Sequence, residues 1–123
     1  MFHVIDKKSD LFLKLQSNVS SKSDITPTKI GISYMLAGSS LKWHRDILPM
    51  TTSVTIYLND EWNKNWGGLF LYTEEDEITN EVQAIFPKDN LAILKDSYIW
   101  HSVSPTSKNS LVRISLQMFQ EIS

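Results

Sequence analysis

The sequence contains no cysteine, no long apolar run and no marked excess of either charge. The absence of cysteine excludes disulfide frameworks and thiolate chemistry, and it fits a reducing compartment. No run approaches the roughly 20 apolar residues of a membrane span, and the first residues lack the basic start and apolar stretch of a signal peptide. The formal charge of -2 gives no indication of binding to nucleic acid or to an anionic membrane. We therefore expect a cytoplasmic protein.

A chain of 123 residues is long enough for one domain with a real core and leaves no room for a second. The beginning of the chain is difficult to interpret, because residues 9–16 fit either a short helix capped by Ser9 or a strand with alternating leucines. Residues 18–28, rich in serine and threonine, indicate a loop. We expect a single domain over residues 1–123, with 1–28 as a poorly defined segment and 29–120 as a barrel.

Short alternating segments separated by turns predict that the rest of the chain is all-β. In the clearest of them Val54 and Ile56 share one face, while Ser53, Thr55 and Tyr57 share the other. About eight strands at spacings of roughly 8 to 15 residues favour an antiparallel jelly-roll barrel over alternating α/β units. The predicted strands are 29–36, 41–44, 52–58, 69–72, 81–86, 91–94, 99–103 and 111–119. An acidic run, Glu74 to Glu77, predicts a solvated hairpin loop, with a calcium or partner site as the alternative.

The stretch Trp43-His44-Arg45-Asp46 carries the strongest chemical signal. If it is extended, His44 and Asp46 lie on the same face with their backbones about 7 Å apart, close enough to share one metal ion. The sequence has three histidines, of which His3 lies near the start, so His101 is the candidate for a third ligand. Two histidines and a carboxylate form the facial triad that suits iron(II) and leaves coordination positions open. From spacing alone, a chance His-x-Asp pair and a structural role for His101 remain alternatives.

Arg113 lies on a predicted strand face with Ser115 and Gln117, opposite an apolar face. A guanidinium in this position presents a fork suited to a bidentate carboxylate. An edge-strand arginine that pairs with a surface acid fits the spacing equally well. Tyr57, on the polar face of its strand, would offer a hydroxyl to a cavity inside the barrel.

Several motifs follow one another in a fixed order between residues of about 30 and 120. They are Tyr34-x-x-x-Gly38-x-x-x-x-x-His44-x-Asp46, Tyr57-Leu58-Asn59-Asp60-x-Trp62, Gly67-Gly68-Leu69-x-Leu71-Tyr72, Pro87, His101-x-Val103 and Arg113-Ile114-Ser115. Their order and spacing resemble the iron(II)- and 2-oxoglutarate-dependent oxygenases of the prolyl 4-hydroxylase-like group. The distance of twelve residues from His101 to Arg113 is especially similar to the ribosomal-protein prolyl hydroxylase branch.

The resemblance implies a double-stranded β-helix, which is a cupin-like jelly roll, with little helix near the N-terminus. It also implies a ligand set in which His44, Asp46 and His101 bind Fe(II). Arg113 would pair with the distal carboxylate of 2-oxoglutarate, and Tyr57 would donate a hydrogen bond to the same cosubstrate.

Two further residues have implied positions near the cosubstrate. Tyr34, ten residues before His44, matches a tyrosine close to 2-oxoglutarate in the family. Ser115 matches the serine of an Arg-x-Ser element found in some members. Trp43, Arg45 and the loops that follow would rim the site, but they match no substrate class that we can name.

The implied reaction is hydroxylation of an unactivated C–H bond, coupled to decarboxylation of 2-oxoglutarate to succinate and CO2. Fe(II), 2-oxoglutarate and O2 are the implied cofactors and cosubstrates, with ascorbate as an additional candidate. A prolyl residue in a protein is the first expectation for the prime substrate, and other peptide side chains or small molecules fit the same scaffold. Relatives have considerably more chain before the first barrel strand, which leaves three alternatives: a minimal barrel, a fragment, or a protein that relies on a partner to cover an exposed sheet edge. A homodimer is the expectation that follows from the third.

Two functions of different class remain beside this one. The first is a cupin-like enzyme that holds zinc or another divalent ion at the same three ligands and uses it as a Lewis acid. It leaves Arg113 and Tyr57 without a purpose. The second is a non-catalytic binding module on the same barrel, against which the intact triad of ligands counts.

Overall fold

The computed structural model describes residues 1–74 and 81–122. Most of the acidic run from Glu74 to Glu77 lies outside these ranges. Within them the chain forms one helix and nine strands. The elements are β1 (Phe2–Val4), α1 (Asp10–Lys22), β2 (Lys29–Met35), β3 (Leu41–His44), β4 (Met50–Tyr57), β5 (Phe70–Thr73), β6 (Gln83–Ile85), β7 (Ala92–Asp96), β8 (Trp100–Val103) and β9 (Arg113–Glu121). No helix in the described ranges has the length and apolar character needed to cross a membrane.

The strands form two antiparallel sheets. The larger has the order β1-β2-β9-β4-β7, and the smaller has the order β3-β8-β5-β6. Neighbours in each sheet are mostly distant in sequence, which is the connectivity of a jelly roll and not of a simple meander. The prediction of an all-β jelly roll with little helix near the N-terminus is confirmed.

Helix α1 is longer than the sequence pattern indicates, and the prediction of a loop from residue 18 is wrong for residues 18–22. Ser9 caps the helix by accepting a hydrogen bond from the Phe12 backbone N–H at 3.1 Å. Serines in the last turns donate to carbonyl oxygens within the helix, as Ser20 does to Gln16 at 2.8 Å. These local bonds satisfy the hydroxyls, and packing of the helix on the larger sheet outweighs the weak helix propensity of serine.

The larger sheet has two different faces because β4 and β9 alternate. On the outer face Phe12 of α1 packs with Val54, Leu116 and other buried residues of a hydrophobic cluster. On the inner face Ser53 and Thr55 line a cavity between the sheets. The predicted division of the strand around Val54 into an apolar and a polar face is thus present, and the polar face is the one that points to the site.

Candidate active site

Two histidines lie side by side where β3 pairs with β8. His44 and His101 are register partners, and their ring centroids are 4.2 Å apart. In each ring Nδ1 lies 2.7 Å from the carbonyl oxygen two residues earlier, that of Lys42 for His44 and that of Ile99 for His101. A carbonyl oxygen only accepts, so Nδ1 carries the proton in the neutral form of both rings, and the lone pair of that form lies on Nε2. Both imidazoles therefore have the tautomer of an Nε2 metal ligand.

Asp46 follows β3 and turns its carboxylate towards both rings. Its backbone N–H donates to the Ser97 carbonyl oxygen at 2.9 Å, which fixes the chain just beyond the strand. Its Oδ1 lies 3.7 Å from His44 Nε2 and 3.6 Å from His101 Nε2. Ligand atoms that share one metal ion at bond lengths of about 2 Å are separated by roughly 3 to 4 Å. The three groups lie within 4.8 Å of one another and could hold one ion.

His101 is the more deeply placed of the two histidines, with its side chain 6% exposed against 35% for His44. Burial lowers the pKa of His101 from 6.5 to about 4, and the positive charge of Lys95 adds to the effect. The Ile99 carbonyl and the Asp46 carboxylate act in the opposite direction without cancelling it. The lowered pKa keeps His101 neutral at physiological pH, which is the state that binds a metal.

Arg113 begins β9 and is almost completely buried, with 3% of its surface exposed. Its Nε donates to the Gly68 carbonyl oxygen at 3.0 Å, and its Nη2 donates to the Tyr57 hydroxyl at 3.2 Å. Nη1 lies 3.6 Å from the Met35 sulfur. Within the described ranges no carboxylate lies at ion-pair distance from Arg113. Burial without an anion lowers the pKa of Arg113 below its ordinary value, and Tyr57 partly offsets this effect.

Tyr57 and Gly68 fix the position of the guanidinium. Tyr57 is 1% exposed, and the carbon at the centre of the guanidinium lies 4.8 Å from its ring centroid. Burial raises the pKa of Tyr57, so its hydroxyl keeps its proton and remains a hydrogen-bond donor. Gly68 has a φ of +67°, and a Cβ at this position would lie 3.1 Å from Arg113 Cδ. A larger residue would therefore crowd the arginine.

A cavity of about 810 Å³ connects the three metal-ligand candidates with Arg113. Polar groups on its wall come from Ser53, Thr55 and Gln117. Thr55 donates to Gln117 at 2.8 Å, whereas the buried Ser53 hydroxyl has no hydrogen-bond partner in the described part of the chain. The cavity thus offers one cationic end, one metal-ligand end and a free hydroxyl along the wall.

The remaining predicted residues differ in their relation to this cavity. Tyr34 lines it, and its ring packs edge-on against His3 with centroids 5.5 Å apart. Ser115 is fully buried and accepts a hydrogen bond from Gln117 Nε2 at 2.9 Å. Gln117, and not Ser115, lines the cavity, so Ser115 lies behind the wall.

Sequence analysis missed Lys95. Its Nζ lies 2.7 Å from Asp46 Oδ2, and it lines the same cavity. A signal was present, because alternation along β7 places Lys95 on the same face as the buried Ile93. A lysine in that position needs an anion nearby, but sequence spacing did not indicate that Asp46 would supply it.

A jelly roll with two histidines and one carboxylate around one point, and a buried arginine in the same cavity, defines the class of non-haem metal-dependent oxygenases. The chain belongs to the 2OG-Fe(II) oxygenase superfamily, whose family model matches residues 30–121. The match runs from the second residue of β2 to the end of β9 and therefore includes the metal-ligand candidates, Arg113 and Tyr57.

Solved structures of prolyl hydroxylases share the fold. A prolyl-4-hydroxylase from Pseudomonas putida aligns with a TM-score of 0.76 and 17% identity, over 99% of this chain and 72% of that one. A prolyl hydroxylase from Trichoplax adhaerens, solved with a hypoxia inducible factor oxygen degradation domain peptide fragment, aligns with a TM-score of 0.74 and 20% identity. That alignment covers 98% of this chain and 62% of the Trichoplax chain.

A third similar structure is an oxidoreductase of the 2OG-Fe(II) oxygenase family from Burkholderia pseudomallei. It has a TM-score of 0.63 and 23% identity, over 76% of this chain and 43% of that chain. No curated protein matches the sequence significantly. This chain spans 62% of the Trichoplax chain and 43% of the Burkholderia chain, which is less than two thirds of each. At sequence identities of 17%, 20% and 23%, the similarity to the three structures establishes the fold alone.

Proposed function

We propose that this chain is an Fe(II)- and 2-oxoglutarate-dependent dioxygenase that hydroxylates an unactivated C–H bond and releases succinate and CO2. The observation that carries the proposal is the buried guanidinium of Arg113, which shares a cavity with His44, Asp46 and His101 but has no carboxylate partner in the described ranges. A buried cation without an anion is unfavourable, and a carboxylate ligand removes that cost.

The metal-ligand candidates fit an iron(II) ion. Two imidazoles and one carboxylate, with ligand atoms within 4.8 Å of one another, are the donor set of a facial triad. Bound iron(II), 2-oxoglutarate and O2 together supply the oxidising chemistry, which no side chain of this protein can provide. In this proposal His44, Asp46 and His101, all of which line the cavity, would hold the ion.

The role of Arg113 is to bind and orient the cosubstrate. A guanidinium has five N–H donors, and Arg113 uses three of its nitrogens towards Gly68, Tyr57 and Met35. The two remaining N–H groups are free to donate to the distal carboxylate of 2-oxoglutarate, to which the Tyr57 hydroxyl also donates. Arg113 is therefore a clamp and not an acid or a base. We place Tyr34 beside the cosubstrate as part of the cavity wall, and we assign Ser115 an indirect contribution through Gln117.

We propose a prolyl residue in a protein or peptide as the prime substrate. The support is the fold shared with prolyl hydroxylases, one of them solved with a peptide. Exposed apolar side chains of the cavity wall, which include Leu36, Leu41 and Val112, suit an apolar ring better than a charged metabolite. Other peptide side chains and small molecules remain the alternatives.

The wider setting is also a proposal. We infer a single dioxygenase domain over residues 1–123, with 29–120 as the catalytic barrel, and a cytoplasmic location, where iron is kept ferrous. Ascorbate as an auxiliary reductant and a homodimer that covers a sheet edge stay predictions. Size-exclusion chromatography with light scattering measures the oligomeric state directly.

The decisive experiment is turnover with Fe(II), 2-oxoglutarate and O2, in which succinate is followed by NMR and hydroxylation by mass spectrometry of a proline-containing peptide library. We expect Fe(II)-dependent succinate with the wild type and none with His44→Ala or Asp46→Ala. Asp89→Ala, which removes an exposed carboxylate that does not line the cavity, is the matched control and should retain succinate formation. Normal turnover by the His44 or Asp46 variant would contradict the ligand assignment.

A further inference from the structure

Lys95 makes a direct ion pair with a metal-ligand candidate. Its Nζ lies 2.7 Å from Asp46 Oδ2, whereas the other oxygen, Oδ1, faces both His44 and His101. The pair is well shielded, since the Lys95 side chain is 10% exposed and that of Asp46 is 12% exposed. The two carboxylate oxygens therefore have different partners, one a cation of the protein and the other the position of the metal.

The origin of this contact is the packing of β7 on the site. Lys95 is the register partner of Ser53 in β4, and both side chains line the cavity that extends to Arg113. Asp46 is anchored independently, because its backbone N–H binds the Ser97 carbonyl oxygen just after β7. The pairing of β7 with β4 therefore fixes Lys95, and the hydrogen bond to Ser97 fixes Asp46, so that the two side chains meet.

The positive charge of Lys95 has opposite effects on the binding of a divalent metal ion and of the dianionic cosubstrate. Its ammonium cancels the negative charge of Asp46 and repels a divalent cation at Oδ1. The same ammonium attracts a dianion that enters the cavity. Shielding of the pair from solvent makes both effects larger than they would be at an exposed site.

We propose that Lys95 is a positioning residue that restricts Asp46 to one metal-binding oxygen. Its charge weakens the binding of the metal ion and strengthens the binding of the dianionic cosubstrate. The proposal rests on the proposed function for the identity of the dianion, but its metal half depends only on the three ligands and Lys95. Lys95 keeps the carboxylate from chelating the ion through both oxygens, and so leaves coordination positions for the cosubstrate.

The test replaces Lys95 with the uncharged, similarly long methionine and measures two affinities. Mn²⁺, a redox-stable probe, is titrated in the absence of 2-oxoglutarate and followed by EPR. 2-Oxoglutarate is then titrated into Mn²⁺-saturated protein by calorimetry. We expect Lys95→Met to bind Mn²⁺ about tenfold more tightly and 2-oxoglutarate several-fold more weakly than the wild type. Lys95→Arg, which keeps the charge, should return both affinities towards the wild-type values.

Lys88→Met is the matched control, because it removes the same charge from an exposed turn and should change neither affinity. Thermal unfolding of each metal-free variant verifies that it is folded. Mn²⁺ binding by Lys95→Met that is unchanged or weaker would overturn the inference, since a lysine that merely holds Asp46 in place predicts a loss. A wild-type protein that binds Mn²⁺ but not 2-oxoglutarate would instead contradict the proposed function, and the Mn²⁺ titration would still decide the effect of Lys95 on Asp46.

Discussion

His44 and His101 are direct partners across the β3–β8 pair, and each donates its Nδ1 proton at 2.7 Å to the carbonyl oxygen of the residue two positions earlier. The same local arrangement therefore occurs on both strands. The backbone orients the rings before any ion is bound, so binding of an ion requires little ordering of these side chains. Backbone carbonyl oxygens, and not acidic side chains, thus accept the Nδ1 protons of both rings.

The stability of the metal-free protein should depend on pH through His101. Burial lowers its pKa to about 4 in the folded state, from 6.5. Between these values the unfolded chain binds a proton that the folded chain does not. The stability that depends on neutral His101 is therefore fully present above about pH 6.5 and is lost as the pH decreases towards 4. The loss is on the order of 3 kcal/mol. Urea unfolding in the presence of a chelator measures it, and His101→Gln should flatten the profile while His3→Gln should not.

Tyr57→Phe should weaken 2-oxoglutarate binding while it preserves the fold. The variant removes the hydroxyl that accepts from Arg113 Nη2 at 3.2 Å and keeps the buried ring. Loss of one such hydrogen bond corresponds to about 1 kcal/mol, which is roughly a fivefold increase in Kd. Calorimetry on the Mn²⁺ protein measures the change. The exposed Tyr98→Phe is the matched control, and an equal Kd for Tyr57→Phe and the wild type would exclude a role for the hydroxyl.

Gly68→Ala should displace Arg113. The added Cβ would lie 3.1 Å from Arg113 Cδ, and the backbone φ of +67° is strained for alanine. Gly38→Ala has the same kind of strain, with a φ of +84°, but the nearest contact of its added Cβ is Lys108 Cγ at 3.7 Å, an ordinary van der Waals distance. We expect both variants to lose some stability, and Gly68→Ala alone to lose 2-oxoglutarate affinity as well. Equal cosubstrate affinities in the two variants would contradict this account.

Phe12→Ala should destabilise the barrel without changing the chemistry of the site. Phe12 is 3% exposed and anchors α1 on the outer face of the larger sheet, and truncation of a buried phenylalanine costs about 3 to 5 kcal/mol. Leu13→Ala, at a position 52% exposed, should cost less than about 0.5 kcal/mol. Denaturant midpoints measure both. Below the unfolding transition, Phe12→Ala should bind Mn²⁺ with the wild-type affinity, because the helix lies on the opposite face from the site.

Strand alternation made much of the fold predictable. Ser53 and Thr55 alternate with Val54, and the sheet places the polar pair on the cavity and the apolar residue against α1. The length of α1 was not predictable from local pattern, because its second half consists largely of serine, asparagine and lysine. Packing of Phe12 and hydrogen bonds within the helix stabilise it, and the packing partners are distant in sequence.

Local spacing predicted some residues of the candidate site, whereas contacts between residues distant in sequence were not predictable. His44 and Asp46 are close in sequence, and their spacing indicated a shared face. The count of histidines made His101 a candidate and the polar strand face made Arg113 one, but only the family resemblance favoured these roles over the structural alternatives. Lys95 was not found, because its contact with Asp46 joins residues that lie 49 positions apart and follows from the packing of β7. The position of Ser115 behind Gln117 likewise depends on side-chain packing that spacing does not determine.

Anaerobic addition of 2-oxoglutarate to the Fe(II) protein tests the central claim most directly. A keto acid chelated to iron(II) produces a weak visible charge-transfer band, and we predict this band for the wild type. At limiting 2-oxoglutarate, Arg113→Met should lose most of the band, and Arg113→Lys, which keeps the charge but not the fork, should retain part of it. Absence of the band in the wild type, or an undiminished band in Arg113→Met, would contradict the account.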